Sequence, residues 1–530
     1  MDAAAVLAHV EAWIDSQRAR FAGPGIQVGL TDRGRTLGTL TLGEASRGVA
    51  LTPEHLFPIA SVSKSFTAAL VMQEREAEGI DLVAPVQAYL PWFRPPSPFS
   101  PMTVHHLLSH SSGLAIGQEA TGEGVNELLQ LASQEPGFEP GERLWYSNAG
   151  YKALGLILEA VSGRPWFELA RDRILEPLGM HATEPTTTDA IRPRVAPGHV
   201  SPFGDRPWHS SYGLVEAPWY ESGTADGTIC STATEMCAYL RMWLARGAGV
   251  MSEESFDLMT APHAHDPDDD VDYGYGLWSR DVGGARQVGH SGSFVGHTAF
   301  MTFDPIAGFG AVVLTNGTSE WGLRRDLLAF ALATAEASAA GEELPSIPGP
   351  RTLATVDAAD VYAGSFGPVA VVAEGRGLVA EVGGEAAPLE IAGADAFASP
   401  SPSLARFPLR FKREGGVVVA LTHGTEWHPR EGHVATEVAT PDPAWESLIG
   451  HYRGYGLNVI DVRVLVRRSR LRLTDAQAGT DDELVPLPDG SFRIGTEPWR
   501  PDRIRLDTEI GGRATRAVMD GAPLYRTFTD

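Results

Sequence analysis

The sequence predicts an α/β domain, in which an antiparallel sheet is flanked by helices and carries a helical subdomain, followed by an all-β region. Two observations support the first part: strand patterns occur near both ends of residues 1–345, and the stretch between them is mostly helical. A third observation supports the second part, because short β-like runs without a convincing long helix follow residue 352. A chain of 530 residues is also too long for one compact domain.

The first elements are a helix, a hairpin and a second helix. The N-terminal helix is amphipathic, with Val6, Val10, Trp13 and their neighbours Leu7 and Ile14 on one face. Residues 25–42 read as a hairpin with its turn at 32–35. From Ser61 a helical pattern continues to a stop at Gly79.

The later elements of the first domain follow from periodicity and turn residues. The stretch "GYKALGLILEAVSG" predicts a helix that ends at Gly163, which suits a C-cap. Strands are predicted at "TAFMTFDP" and "FGAVVLTNG", with turns at Asp304–Pro305 and Asn316–Gly317. A closing helix is expected at about 318–340. These elements place the first domain at 1–345.

The region after the linker at 341–352 contains a weak internal repeat. Stretches that begin at Tyr362 and Tyr452 share Tyr-x-Gly, alternating apolar residues, a break and another strand. The repeat predicts two small antiparallel barrels, at 353–440 and 443–530. A single larger barrel with chance similarity is the alternative.

Composition and charge disfavour several classes of binding partner. The formal net charge of −25 disfavours nucleic acid and anionic membrane surfaces. There is no apolar window of the length that crosses a bilayer, and the N-terminus lacks a basic segment followed by an apolar core. The expected location is therefore the cytoplasm, and the expected partner is a small molecule or short peptide. The sequence leaves open whether the chain forms a homo-oligomer.

A serine and a lysine at i and i+3 form the first chemical motif. The chain has only three lysines, at 64, 152 and 412, and "IASVSKSFTAAL" contains its only Ser-x-x-Lys, Ser61 to Lys64. On a helix these two side chains share a face. Serine needs an adjacent base to become a nucleophile, and a lysine serves as that base when burial or positive potential lowers its pKa. Arginine cannot replace it, because it does not deprotonate in proteins.

Two further motifs follow in the chain. The only Tyr-x-Asn is Tyr146-Ser147-Asn148, just before a predicted helix, and His290-Ser291-Gly292 lies on a predicted strand. With these, the sequence resembles the serine β-lactamase and penicillin-binding-protein superfamily in its class C-like branch. The resemblance covers residues 1 to about 345 and includes "MTVHHLLSHSSGL", "FEPGERLWYSNAGY", "DGTICSTATEM" and "YGYGLW". The β region after residue 350 resembles the barrels or lipocalin-like domains appended to some D-aminopeptidases.

The resemblance implies roles for the catalytic residues. Ser61 would be the acylated nucleophile, Lys64 and Tyr146 would share the proton transfers, and Asn148 would contact Lys64 and the substrate amide. No cofactor is expected.

It also implies a substrate-binding strand. Gly292 would let the substrate backbone approach, and the N–H groups of Ser61 and Ser293 would form the oxyanion hole. His290 would replace the lysine that usually occupies its position. Because histidine is mostly neutral at pH 7, this departure favours esters, amides or peptides read from their amino end over substrates held by a carboxylate.

The sequence therefore predicts a serine hydrolase that forms an acyl-enzyme on small amides, peptides or esters. D-amino-acid-containing substrates are favoured because of the appended β region, by analogy. A carboxylesterase, an acyl transferase or cyclase using the same site, and a non-catalytic binding or scaffold protein remain as alternatives.

Two other patterns are set aside. His106 and His110 are spaced as a zinc pair but lack a third ligand. The acidic run at 265–272 lacks the glycine and terminal glutamate of an EF-hand loop, so we interpret it as a solvated loop.

Overall fold

The computed structural model describes residues 1–118, 122–317, 321–434, 438, 440–456 and 460–527. The chain divides into two compact units. Unit 1 comprises Met1–Val200 and Glu216–Gly349, and unit 2 comprises Ser201–Val215 and Pro350–Asp530. Unit 2 therefore includes a short segment from the interior of the first domain.

Unit 1 contains all the α-helices of the described part of the chain. Their bounds are α1 Ala3–Gln17, α2 Ser63–Glu76, α3 Val104–Leu108, α4 Gly124–Leu131, α5 Asn148–Ser162, α6 Trp166–Ala170, α7 Ala233–Leu244, α8 Glu253–Thr260 and α9 Trp321–Ala340. The first thirteen strands are β1 Gly25–Asp32, β2 Thr36–Ser46, β3 Val49–Ala50, β4 Phe57–Pro58, β5 His199–Val200, β6 Val215–Glu216, β7 Cys230–Ser231, β8 Ala264–Asp266, β9 Val271–Tyr273, β10 Trp278–Val282, β11 Ala285–Phe294, β12 His297–Asp304 and β13 Phe309–Thr315.

Nine strands form one antiparallel sheet in the order β3-β2-β1-β13-β12-β11-β10-β9-β8. Alternation along β13 shows why both faces are covered: Val313 packs in the core with α1 and α9, whereas Val312 and Leu314 pack in the core with α7. The helical subdomain between β4 and β7 extends the second of these cores. The antiparallel α/β prediction is confirmed.

Local predictions in unit 1 hold with small shifts. The hairpin at 25–42, the N-terminal helix and the Gly163 C-cap, where φ is 70°, are confirmed. The closing helix is described from Trp321, and residues 318–320 lie outside the described residues. Ser61 differs from expectation, because it lies in a 3₁₀ turn, Ala60–Val62, which precedes α2.

Unit 2 contains two eight-stranded antiparallel sheets. The first consists of β14 Gly364–Phe366, β15 Val369–Glu374, β16 Gly377–Val382, β17 Glu385–Gly393, β18 Ala396–Ala398, β19 Leu409–Glu414, β20 Val417–His423 and β21 Glu426–Pro429. The second consists of β22 Gly450–Arg453, β23 Asp461–Arg467, β24 Arg470–Asp475, β25 Thr480–Pro486, β26 Phe492–Ile494, β27 Arg503–Ile510, β28 Arg513–Met519 and β29 Ala522–Arg526.

The second sheet is a closed barrel, in which β22 pairs with β29. The first sheet has its end strands next to each other as well, since an isolated bridge joins Phe366 to Arg430. Each sheet encloses its own apolar core. Two barrels, rather than one larger barrel, are therefore confirmed.

The segment 201–215 packs on the sheets of unit 2. The Ser210 backbone N–H donates to a Glu390 carboxylate oxygen at 2.8 Å, and the Ser210 hydroxyl donates to the other oxygen. Arg463 Nη1 donates to the Asp205 carbonyl at 2.7 Å. These contacts explain why the segment belongs to unit 2, although the residues before and after it in the sequence belong to unit 1.

Within the described residues, none of the helices has the length and apolar character needed to cross a membrane.

Candidate active site

Ser61 is presented by a strained turn. The preceding residue, Ala60, has a φ of 48°, which is unfavourable for a residue with a Cβ. The turn is held because Ile59 N–H donates to the Ile229 carbonyl at 2.8 Å. Ser61 itself is half-buried and lines a cavity of about 470 Å³. A strained, supported turn that exposes a hydroxyl to a cavity is typical of a nucleophile position.

Lys64 is fully buried, one turn along from Ser61. Its Nζ lies 3.0 Å from Ser61 Oγ, 2.8 Å from Asn148 Oδ1 and 2.9 Å from the Asp226 carbonyl oxygen. It also lies 5.0 Å from the centre of the Tyr146 ring. The structure thus brings together Ser61, Lys64, Tyr146 and Asn148, which lie up to 87 positions apart in the sequence.

Asn148 is fixed by the start of α5. Ser147 is the N-cap, and its hydroxyl accepts the Gly150 N–H at 3.1 Å. The Asn148 N–H donates to the Ile116 carbonyl at 2.8 Å. A capped helix start therefore aims the Asn148 amide at Lys64.

A second buried lysine lies one helical turn beyond Asn148. Lys152 forms an ion pair with Glu127, and its Nζ lies 3.8 Å from Asp226 Oδ2. All three side chains are buried. Asp226 thereby connects the two lysines, because its carboxylate faces Lys152 and its main-chain carbonyl accepts from Lys64.

His290 is buried and both its ring nitrogens are bonded within the protein. Nδ1 lies 2.7 Å from the Ser291 carbonyl and Nε2 lies 2.9 Å from Tyr273 Oη. A carbonyl only accepts, so Nδ1 carries the proton and Nε2 accepts from the tyrosine. Burial, reinforced by the nearby Lys64 charge, lowers the pKa of His290 to about 3. His290 is therefore neutral at physiological pH, as we expect for a histidine in place of the usual lysine.

His110 supports the segment that carries Tyr146. Its ring centre lies 4.2 Å from that of Tyr146 and 4.7 Å from that of Tyr273. Its Nδ1 accepts the Ser147 N–H at 3.0 Å. Burial, followed by the charge of Lys64, holds the pKa of His110 well below its usual range. The zinc interpretation of His106 and His110 also lacks support, since His106 Nδ1 instead caps α3 through the Thr103 N–H.

Gly292 on β11 lies against the turn that carries Ser61. A Cβ at position 292 would overlap the Ile59 carbonyl oxygen and approach Ser61 N to 2.9 Å. The glycine is thus required by the turn itself. Ser293 follows on the same strand and is exposed at the cavity.

Charged side chains of both signs line the rest of the cavity. Asp266 and Asp269 come from the β8–β9 hairpin, and Arg280 and Arg325 from β10 and α9. The Arg280 guanidinium lies 4.4 Å from the Trp278 ring centre, and burial lowers its pKa. The acidic run at 265–272 forms the β8–β9 hairpin, and its tip at 267–270 is exposed to solvent, as expected for a solvated loop, while Asp266 and Asp269 also line the cavity.

Sequence reasoning missed three contributors to the site: His110, Tyr273 and Asp226. Each lies in a stretch that carried the family resemblance, respectively "LLSHSSGL", "YGYGLW" and "DGTICSTATEM". The motifs therefore contained these residues, but the sequence does not show which side chains they contact, because those contacts are long-range. Across the described ranges, no group of three or more His, Cys, Asp or Glu side chains is placed to hold a metal ion.

Comparison with known proteins identifies relatives of unit 1. The family model described as "Beta-lactamase" matches residues 10–336. The chain is 30% identical over 335 residues to penicillin-binding protein 4 of Amycolatopsis lactamdurans, a match that covers 58% of this chain and 85% of that protein. It is 28% identical over 300 residues to a D-aminopeptidase of Cereibacter sphaeroides, covering 54% and 55% respectively. The chain thus spans little more than half of that D-aminopeptidase.

The likeness to solved structures extends over both units. The octameric penicillin-binding protein homologue from Pyrococcus abyssi has a TM-score of 0.58 and 22% identity, and the match covers 89% of this chain and 98% of that one. At this identity the likeness is one of fold. It includes the C-terminal β region as well as the α/β unit.

Proposed function

The chain belongs to the beta-lactamase family, and from this premise we propose that Ser61 attacks small amides, peptides or esters to form an acyl-enzyme. The observation that carries the proposal is the environment of Lys64 Nζ, which contacts Ser61 Oγ and two carbonyl oxygens. Carbonyl oxygens cannot donate a hydrogen bond. Once Lys64 has given up a proton, its two remaining N–H groups would donate to Asn148 and Asp226, and its lone pair would face the Ser61 hydroxyl.

The proton path follows from this arrangement. Lys64 Nζ takes the proton of the Ser61 hydroxyl as Oγ bonds to the acyl carbon. The leaving amine or alcohol departs with a proton, which Lys64 and Tyr146 relay, and water then cleaves the acyl-enzyme by the reverse path. The main-chain N–H groups of Ser61 and Ser293 are the proposed oxyanion donors.

The cavity supports a small substrate. Its volume of about 470 Å³ lies in the range of small-molecule sites. His290 contributes no charge and no free ring N–H, because both nitrogens are bonded within the protein. Asp266 and Asp269 offer carboxylates to a free amino group. Together with the relationship to a D-aminopeptidase, these features favour amides and peptides with a free amino end, including those of D-amino acids.

The experiment has two parts. A fluorophosphonate probe, which modifies activated serines, should label the wild-type protein once, at Ser61. Ser61→Ala should lose labelling and turnover, whereas Ser100→Ala, at an exposed serine away from the site, supplies a control that keeps the nucleophile. Labelling at another serine, or full activity in Ser61→Ala, would contradict the role of Ser61 as nucleophile. The alternative of a non-catalytic scaffold protein would then be favoured.

The second part defines the substrate. Initial rates should be compared for D- and L-aminoacyl p-nitroanilides and for short-chain p-nitrophenyl esters. Faster cleavage of D-aminoacyl anilides than of their L-isomers would support the amidase form of the proposal. Activity on the esters alone would identify a carboxylesterase instead.

A further inference from the structure

Unit 2 contains a large cavity that the proposed chemistry does not use. Its volume is about 860 Å³, and both eight-stranded sheets contribute to its walls. Phe407 and Thr425 come from connections between strands of the first sheet, and Val464 and Arg513 come from the second barrel. A cavity of this size suits an organic molecule rather than a single ion.

The charged lining of this cavity is predominantly basic. The lining contains four arginines and only two glutamates. These residues are Arg406, Arg463, Arg513, Arg526, Glu446 and Glu509. This excess of positive charge occurs in a chain whose formal net charge is −25. A local reversal of the charge of the whole protein favours an anionic ligand.

Arg463 is the buried member of this group, with 7% of its surface exposed. One edge of its guanidinium is held by Asp205, through Nη1 to the carbonyl at 2.7 Å and Nη2 to the carboxylate at 3.6 Å. Its Nε–H meets no acceptor in the described ranges of the chain. The guanidinium, fixed by Asp205, lines the cavity and contributes a positive charge to its wall.

A glycine makes room for a second arginine. A Cβ at Gly450 would come within 2.8 Å of the Arg526 guanidinium carbon. The uncharged part of the wall includes the apolar side chains of Phe407, Ile449, Val464 and Leu465. The ring of Phe407 also lies 5.4 Å from the Arg463 guanidinium. Cationic and apolar surfaces thus meet in one cavity.

We infer that this cavity binds a small organic carboxylate with an apolar body, whose carboxylate pairs with Arg463 and Arg513 and whose body lies on the wall around Phe407 and Leu465. The inference does not depend on the chemistry at Ser61. It assigns a ligand-binding role to unit 2.

Isothermal titration of the full-length protein with octanoate tests the inference. We expect saturable binding of one octanoate per chain. Two further probes separate the requirements: 1-octanol has the apolar body without the charge, and inorganic phosphate has an oxyanion without the body. Both should bind at least about tenfold more weakly, since a hydrogen bond to a charged group is worth about a factor of ten or more.

Variants locate the site. Arg513→Gln should weaken octanoate binding about tenfold, and because Arg513 is exposed, this variant should fold normally. Arg463→Gln should weaken binding further. Arg505→Gln is the matched control, since Arg505 lies on neighbouring β27, pairs with Asp489 and does not line the cavity.

Absence of octanoate binding would overturn the inference, and so would binding that Arg513→Gln leaves unchanged, because the ligand would then lie elsewhere. Equal affinity for 1-octanol would show an apolar site without a carboxylate subsite. Equal affinity for phosphate would show a simple oxyanion site.

Discussion

Lys64 is set apart from other basic residues by its three partners. Two carbonyl oxygens and one hydroxyl surround an Nζ that solvent does not reach. A guanidinium is larger, planar and permanently charged, so it fits neither this space nor the role of a base. The identity of this one side chain therefore carries the proposed chemistry.

Replacing Lys64 by arginine should be nearly as damaging as replacing it by alanine. Loss of a general base typically reduces the rate by about 10²–10⁴-fold, and kcat measured on the best substrate from the panel tests this. Lys412→Arg, a half-buried lysine in unit 2, is the control and should retain activity. Substantial rescue by arginine would mean that Lys64 serves only as a structural cation.

His290 should make stability depend on pH. Its folded-state pKa of about 3 lies below the ordinary value of 6.5, so the unfolded chain binds the proton first. Stability from this group is complete above pH 6.5 and is lost as pH falls toward 3, by about 1.4 kcal/mol per pH unit. In His290→Gln, the difference between thermal unfolding midpoints at pH 4.5 and 6.5 should shrink.

An exposed histidine supplies the control for this measurement. His181→Gln should keep the wild-type difference between the two pH values. If His290→Gln also keeps it, burial of the neutral imidazole does not contribute to stability in this range.

Among the elements, the 3₁₀ turn Ala60–Val62 and strand β11 depend on each other. Gly292 allows β11 to lie directly against the main chain of Ile59 and Ser61. The turn retains the positive φ of Ala60 because these contacts and the Ile59–Ile229 hydrogen bond hold it. The position of the nucleophile is thus set by a strand remote in sequence.

Gly292→Ala should displace this turn. We expect the rate of fluorophosphonate labelling at Ser61 to fall by about 10²-fold, as expected for a displacement of about 1 Å. Gly34→Ala is the matched control, because the only atom near its added Cβ is an Asp32 carboxylate oxygen at 3.6 Å. Unchanged labelling in Gly292→Ala, with the thermal unfolding midpoint preserved, would show that the turn tolerates the shift.

For the whole molecule, the noteworthy feature is that unit 2 includes the segment 201–215. Glu390 accepts two hydrogen bonds from Ser210 and lies 3.8 Å from His209 Nε2. Burial lowers the pKa of His209, while Glu390 opposes this effect. The Glu390 carboxylate thus helps to attach this segment to the first β-sheet of unit 2, together with the Tyr212 hydroxyl, which donates to the Ser399 carbonyl at 3.3 Å.

Glu390→Ala should release the segment. Loss of hydrogen bonds to a charged group costs about 1.5–3 kcal/mol, enough to raise the open population by about tenfold or more. Limited chymotrypsin digestion, with mass analysis of the cuts after Phe203, Trp208 and Tyr212, should therefore be faster. Glu414→Ala, at an exposed glutamate, is the control. Equal cleavage rates would show that other contacts hold the segment.

Several local elements and the short motifs of the candidate site could be predicted from the sequence alone. Helix α1 follows from the spacing of Val6, Val10 and Trp13, and the end of α5 follows from Gly163, because periodicity and capping are local properties. Ser61, Lys64 and Asn148 were recognised from short motifs, and the structure brings them within hydrogen-bond distance. The repeat at Tyr362 and Tyr452 likewise predicted two barrels.

The side-chain partners of these residues could be identified only from long-range contacts. The contact of Lys64 with the Asp226 carbonyl, the Tyr273–His290 hydrogen bond and the packing of His110 on Tyr146 join segments distant in sequence. The attachment of 201–215 to Glu390 and the basic cavity of unit 2 arise in the same way. Short-range patterns fix φ, ψ and capping, whereas burial and side-chain contacts depend on which strands pair, and pairing across a long chain leaves little local signal.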